Sequence, residues 1–226
     1  MSISKRMVFV TNMPLSELRH VNQRFSLSTE SCARCPFVQL QNWLDQAIAD
    51  QYYQPNAMSL STVNSDGQPT SRIVLLKQID ETGLIFYTNY QSHKGKDLAA
   101  NPLAAALFYW DQLERQVRVE GKIDMLDPQQ SDRYFASRPR ETQLGAIASP
   151  QSETISNRQW LDQRYQEVKL RYDQSADPIA RPKHWGGYRL IAHKFEFWQG
   201  RPSRLHDRIC YVKQANDNWY ISRLAP

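Results

Sequence analysis

The feature that most limits what this chain can fold into is a change of hydrophobic period between residues 48 and 58. Upstream, Phe37, Leu40, Trp43, Leu44, Ala47 and Ile48 recur at spacings of three and four, just behind Pro36. That is an amphipathic helix with proline in its first turn, where its missing N–H costs nothing. Downstream, Met58, Leu60 and Thr62 alternate with Ser59, Ser61 and Val63, and Asp66-Gly67 supplies a hairpin turn. Arg72–Lys77 encloses four apolar residues between two cations, Asp80–Gly83 makes a second turn, and Leu84–Asn89 reads as a third strand. Alternation broken by tight turns predicts a three-stranded antiparallel meander.

The rest of the chain keeps this character. Lys94–Ala100 reads as a short helix stopped by Asn101-Pro102, and Leu103–Trp110 as a buried strand. Arg115–Met125 reads as another strand, with Gly121 marking a bulge. Asp127-Pro128 opens a helix to about Ser137, and Ser156–Tyr172 carries Trp160, Leu161, Tyr165, Val168 and Tyr172 on one side. After a loop with Pro178 and Pro182, strands return at Tyr188–Trp198, Ile209–Lys213 and Trp219–Leu224. Strands at this spacing, closed by helices, predict one mainly β domain, an antiparallel barrel with flanking helices, over residues 36–226. Residues 1–35 are polar, weakly periodic and Ser/Thr-rich near their end, an N-terminal arm whose composition allows partial disorder.

Composition removes several classes. With 28 basic and 23 acidic residues the net charge is +5, enough to favour anionic ligands without demanding nucleic acid. The Tyr165, Lys169, Arg171, Tyr172 cluster could suit a nucleic acid, but a helix with a core stripe explains it better. The longest apolar run falls far short of the ~20 residues of a membrane span. Met7–Val10 is too short for a signal-peptide core, and three cysteines do not suggest a disulfide scaffold, so a cytoplasmic protein is expected. Cys32-Ala-Arg-Cys35 lacks the preceding strand or second pair that redox or zinc chemistry needs, and the histidines show no metal-ligand spacing. No metal is expected. No Gly-rich strand-to-helix turn occurs, so any nucleotide must be held by side chains and strand backbone.

The strongest chemical signal is Arg204-Leu-His-Asp-Arg208. If extended, alternation puts Arg204, His206 and Arg208 on one face, where three basic groups call for an anion. A solvated edge strand is the plainer explanation of that spacing. Ser92-His-Lys94 sets a cation at a helix start, a place that favours phosphate. Tyr134, Arg138 and Thr142 group anion donors with an aromatic at a helix end.

Taken in order, Arg72-Ile-Val-Leu-Leu-Lys77, Phe86-Tyr-Thr-Asn89, Glu114-Arg-Gln-Val117, Tyr134-Phe, Ser137-Arg-Pro-Arg140, Gln151-Ser152, Trp185-Gly-Gly187, Glu196-Phe-Trp-Gln-Gly200, Arg204-Leu-His-Asp-Arg208 and Arg223-Leu-Ala-Pro226 make a specific set. The chain resembles the pyridoxamine/pyridoxine 5′-phosphate oxidase family from about Pro36 to Pro226. The resemblance implies an FMN-binding split β-barrel, a homodimer with FMN between subunits, and oxidation of phosphorylated B6 vitamers by O2. For FMN it implies Arg72, Ile73, Val74, Leu75, Leu76, Lys77, Tyr87, Thr88, His93, Lys94, Gln116, Gln151, Ser152, Trp198 and Arg208. For substrate it implies Lys77, Tyr134, Arg138, Thr142, Arg204, Leu205 and His206, with Arg204 and His206 as catalytic residues. The chain departs from the family at His93 (usually Arg), at Thr142 (usually Ser) and at Leu18-Arg-His-Val-Asn22, where some members carry a closing Leu-Arg-Arg-Glu-Tyr segment. A sister flavin oxidase acting on another aromatic, such as a phenazine precursor, and a non-catalytic FMN or pyridoxal phosphate binder are the rival readings.

Overall fold

The computed structural model describes residues 25–173 and 178–226; the Leu18–Asn22 segment and the rest of the arm before Phe25 lie outside the described residues. Along the chain run α1 (Pro36–Ala49), β1 (Ala57–Val63), β2 (Pro69–Leu75), β3 (Gln78–Ile79), β4 (Gly83–Asn89), α2 (His93–Ala100), β5 (Leu103–Trp110), β6 (Arg115–Met125), α3 (Pro128–Ser137), α4 (Arg140–Ala148), α5 (Arg158–Asp173), β7 (Trp185–Gln199), β8 (Asp207–Lys213) and β9 (Trp219–Leu224). The strand order is β2-β1-β5-β6-β7-β4-β3, with β8 and β9 attached through β7, and the pairings are antiparallel.

The long strand β7 makes this a split barrel. Its first half, Trp185–Ile191, bonds to β4, and its last residues, Lys194–Gln199, bond to β8. Strand β6 follows the opposite edge from Tyr188 onward. The sheet therefore forks on one side of β7. A bulge between Glu120 and Gly121 lets β6 follow the curl. Gly121 is needed there, because a Cβ would stand 2.2 Å from the Ile191 carbonyl oxygen.

Helix α1 closes the barrel with its apolar stripe, as its period predicts. Phe37 meets Phe195 edge-on at 5.1 Å and Trp43 meets Phe197 at 5.2 Å. Val117, Val119, Phe195, Phe197, Ile209 and Tyr211 are fully buried on the inner face. Each such side chain contributes roughly 1.5–3 kcal/mol of burial energy. A second, smaller core of Phe135, Leu144, Ala148, Val168, Ile179 and Trp185 lies under α3, α4 and α5.

Several expectations change. The three strands after α1 do not form a meander: β1 and β2 pair, but β4 crosses to β3 and β7. The chain leaves β2 at Leu75, because buried Leu76 turns into the core and the Lys77 N–H bonds to the Ile85 carbonyl. Strand β2 is thus an edge, with Ile73 65% exposed rather than buried on both faces. Strand β5 is buried on one face only, since Leu103 and Tyr109 point outward. Helix α4 had no sequence expectation; Pro139 precedes it without a side-chain cap. Residues 25–35, assigned to the arm, pack on the barrel: Leu27 and Cys32 are buried, and Tyr211 donates its hydroxyl to the Ala33 carbonyl at 2.8 Å. No helix among the described residues is long and apolar enough to cross a membrane.

Gly121→Val is expected to cost about 1–3 kcal/mol of stability, as a side chain forced against fixed backbone does. Urea unfolding measures it; an unchanged midpoint would mean that the bulge is not needed for the curl.

Candidate active site

A cavity of about 480 Å³ opens between the β2 edge, β4, the start of α2 and the α3–α4 corner. Its floor is aromatic. Tyr87 stacks on Tyr134 at 3.8 Å and on Trp185 at 5.6 Å, the three rings nearly parallel. Its charged groups are all cationic: Lys77, Lys94 and Arg138 line it and no carboxylate does.

Lys94 sits one residue into α2, behind the Ser92 cap, and is only 8% exposed. Its Nζ donates to Thr88 Oγ1 at 3.1 Å, Ser92 Oγ at 3.2 Å and Gln151 Oε1 at 3.4 Å. All three acceptors are neutral. Burial, with Arg72 nearby, lowers its pKa to about 8. Arg138 lies over the Trp185 ring at 4.5 Å, and its Nη1 is buried without a hydrogen-bond partner. Burial lowers its pKa as well. A buried and a half-buried cation without counter-charge, the second with an orphaned N–H group, fit an anion with several acceptor oxygens.

Arg72 stands behind this cavity. It donates to Thr62 Oγ1 at 2.7 Å and Thr70 Oγ1 at 2.5 Å, and lies 3.7 Å from Asp97 of α2. Its field depresses Lys94, but its own donors are largely taken up within the chain.

A second polar set occupies the far end of β7. Gln116, Trp198 and Arg208 are cross-strand neighbours on β6, β7 and β8. Buried Glu196 accepts from Arg208 Nε at 2.8 Å and from Arg118 Nη1 at 3.4 Å, and this pairing raises the Arg208 pKa. Arg208 Nη1 also donates to the Ala225 carbonyl at 2.9 Å, which ties the end of the chain to this row. The His206 ring lies 4.5 Å from Trp198. Trp185 and Trp198 are separated by nearly the whole of β7, roughly 40 Å of strand path at the usual rise per residue.

The residues singled out by sequence therefore fall into two groups. Ile73, Val74, Leu75, Lys77, Tyr87, Thr88, Lys94, Tyr134, Arg138, Thr142 and Gln151 line the cavity. Gln116, Trp198, Arg204, Leu205, His206 and Arg208 do not. Leu76 lies in the core, and His93 and Ser152 are exposed beside the cavity-lining Lys94 and Gln151. Arg204, His206 and Arg208 do not share one face of a strand. Pro202–Leu205 is a turn and β8 begins only at Asp207, so Arg204 is exposed ahead of the alternation. Trp185 and Glu196 stand in motifs that carry the resemblance but are not among the site residues it implies. Both sit in β7, and their partners come from elsewhere in the chain: Tyr87, Tyr134 and Arg138 for Trp185, Arg118 and Arg208 for Glu196.

Comparison with known proteins places these residues in context. Residues 44–172 match the family model described as pyridoxamine 5′-phosphate oxidase, and residues 185–226 match the pyridoxine 5′-phosphate oxidase C-terminal dimerisation region. The chain belongs to the pyridoxamine 5′-phosphate oxidase family. It is 51% identical over 214 residues to the pyridoxine/pyridoxamine 5′-phosphate oxidase of Burkholderia lata, covering 94% of this chain and 99% of that one. PhzG from Burkholderia lata, solved with tetrahydrophenazine-1-carboxylic acid, superposes with a TM-score of 0.81 at 31% identity, covering 88% of this chain and 98% of PhzG. An FMN-binding protein from Nostoc punctiforme related to the family shares the fold at a TM-score of 0.66 and 17% identity, over 89% of this chain and all of that one. The chain is thus a split-barrel member of a flavoprotein oxidoreductase family.

The Lys94 pKa gives a direct test of the cradle. An anion binds the protonated ammonium, so binding holds below about pH 8 and weakens as pH rises through that value. Sulfate, a phosphate analogue whose charge does not change over this range, is expected to raise the melting temperature at pH 7 and to lose much of that effect by pH 9, and Lys94→Met to lose it at both. Protection that grows from pH 7 to pH 9 would exclude Lys94 as the anion's partner.

Proposed function

We propose that this protein is an FMN-dependent oxidase that converts pyridoxine or pyridoxamine 5′-phosphate to pyridoxal 5′-phosphate. The observation that carries this reading is the carboxylate-free set Lys77, Lys94 and Arg138 around an aromatic floor. A cofactor and a substrate that each join a phosphate to a flat ring use both halves of that chemistry. The identities favour the vitamer oxidase over the phenazine branch: the same species supplies a 51% identical relative of the first name and a 31% identical one of the second.

The donor set fits FMN, whose phosphate would take Lys94, the Thr88 hydroxyl and the Gln151–Ser152 turn, with Arg72 adding charge. Lys77, Arg138, Tyr134 and Thr142 would take the substrate phosphate. When bound, FMN would supply the redox chemistry, two-electron oxidation at the substrate C4′ with O2 as the final acceptor. The chain binds, orients and excludes water. In a homodimer joined through the C-terminal region, the Gln116, Trp198 and Arg208 row of one subunit, with Arg204 and His206, would complete the cradle of the other. That arrangement accounts for two polar sets standing at opposite ends of one strand. Arg204 would seat the pyridine ring, and neutral His206 would hydrogen-bond to it.

Oxygen uptake tests this. With FMN present, both phosphorylated vitamers should be oxidised, and their unphosphorylated forms poorly. Preference for a reduced phenazine carboxylate over both phosphates would favour the sister reading, and a protein that binds FMN without oxygen uptake would be a binder only. Arg204→Ala is expected to lower kcat/KM by roughly 100-fold while FMN affinity changes less than about threefold. Equal losses in both would place Arg204 on the cofactor instead.

A further inference from the structure

The turn that carries Arg204 is built against the preferences of its own residues. Ser203 and Arg204 are consecutive and both left-handed, with φ of 58° and 61°. The Leu205 N–H donates to the Pro202 carbonyl at 3.1 Å, which closes a four-residue turn with positive φ at both central positions. Turns of that kind ordinarily take glycine, asparagine or aspartate there. Serine and arginine gain nothing local to offset the strain, and Pro202 to Leu205 are all exposed in the single chain, so packing within the chain does not hold the turn either.

What holds it lies just outside. The Arg201 backbone N–H donates to His206 Nδ1 at 3.1 Å, joining the two residues that flank the turn. A backbone N–H can only donate, so Nδ1 is the acceptor and the neutral ring carries its proton on Nε2. Both flanks are anchored. Arg201 donates to the Phe25 carbonyl at 3.0 Å and lies 3.5 Å from Asp207, which also accepts from Arg223 at 2.6 Å and from the Leu27 N–H at 3.0 Å. On the other flank the His206 ring rests against Trp198. Burial and the charge of Arg204 keep the His206 pKa below its ordinary value, which preserves the acceptor at neutral pH.

We propose that His206 is a positioning residue: its Nδ1 staples the strained Pro202–Leu205 turn and thereby aims Arg204, while Nε2–H remains free to face ligand. This deepens the proposed function and rests on it only for what Arg204 is aimed at; the staple belongs to the chain itself.

The test separates the two ring nitrogens. The His206→Asn side chain places an acceptor where Nδ1 stands, and His206→Gln places its polar end where Nε2 stands. In the FMN-loaded protein, trypsin should cut the Arg204–Leu205 bond roughly tenfold faster in His206→Gln than in the parent, and within about threefold of the parent in His206→Asn. Ser203→Gly, which removes part of the strain, should restore protection in the His206→Gln background. In the unaltered protein, nitrogen NMR should show an unprotonated Nδ1 and a protonated Nε2. The loss of kcat/KM from His206→Gln should shrink when Arg204 is already alanine. Equal cleavage of the two variants, the opposite order, the opposite tautomer, or fully additive kinetic losses would each overturn the staple. Cleavage and tautomer are read without turnover, so failure of the vitamer assay would leave them decisive on their own.

Discussion

A lysine ammonium held among hydroxyl and amide oxygens, with no carboxylate in its cavity, is the constraint from which the rest of the site follows. Moving the Lys94 pKa from 10.5 to about 8 corresponds to on the order of 3 kcal/mol of lost preference for the charged form. A cation buried without counter-charge is costly, and an anion in the cavity would offset that cost. The orphaned Arg138 Nη1 adds a second unmet donor on the same cavity. The aromatic stack of Tyr87, Tyr134 and Trp185 supplies a flat apolar surface beside them. Ligands that carry both a phosphate and a ring satisfy all of these groups at once.

Strand β7 is what separates the two polar sets that the proposed function joins across a dimer. It positions Trp185 beside the cation cradle and Trp198 beside the Arg208–Glu196 pair, at opposite ends of fifteen residues of strand. Glu196 pairs with both Arg118 and Arg208 within the chain and so offsets part of the positive charge of this row. The edge strand β2, with Ile73 lining the cavity and largely exposed, leaves backbone and apolar surface open beside the cradle. The Arg201, Asp207 and Arg223 cluster then fixes the start of β8 against residues 25–27, close to the strained turn that carries Arg204.

Local patterns were readable where physics is local. The stripe of α1, the alternation of β1, the bulge at Gly121 and the Asp127 cap of α3 all follow from period and turn chemistry. Strand order was not, because β4 pairs with β3 and with the distant β7 rather than with β2, and nothing within β4 reports that partner. The cradle residues were named from a family resemblance, and the cavity gathers eleven of them; spacing alone left Lys77 and Lys94 indistinguishable from solvated strand and helix ends. The Arg204 segment looked extended because its charges alternate. A backbone–imidazole hydrogen bond between Arg201 and His206 folds it into a turn instead, a contact that no periodicity encodes.

The central claim is that the cation cradle of one subunit and the Trp198, Arg204 and His206 set of another form a single site. Co-expression of Lys94→Met chains with Arg204→Ala chains tests it directly. In a mixed population half the dimers are heterodimers, and each holds one site with both sets intact, so activity should recover to about a quarter of that of the unaltered enzyme. Activity no greater than that of the two separate variants would show that each chain uses its own residues, and the shared site would be wrong.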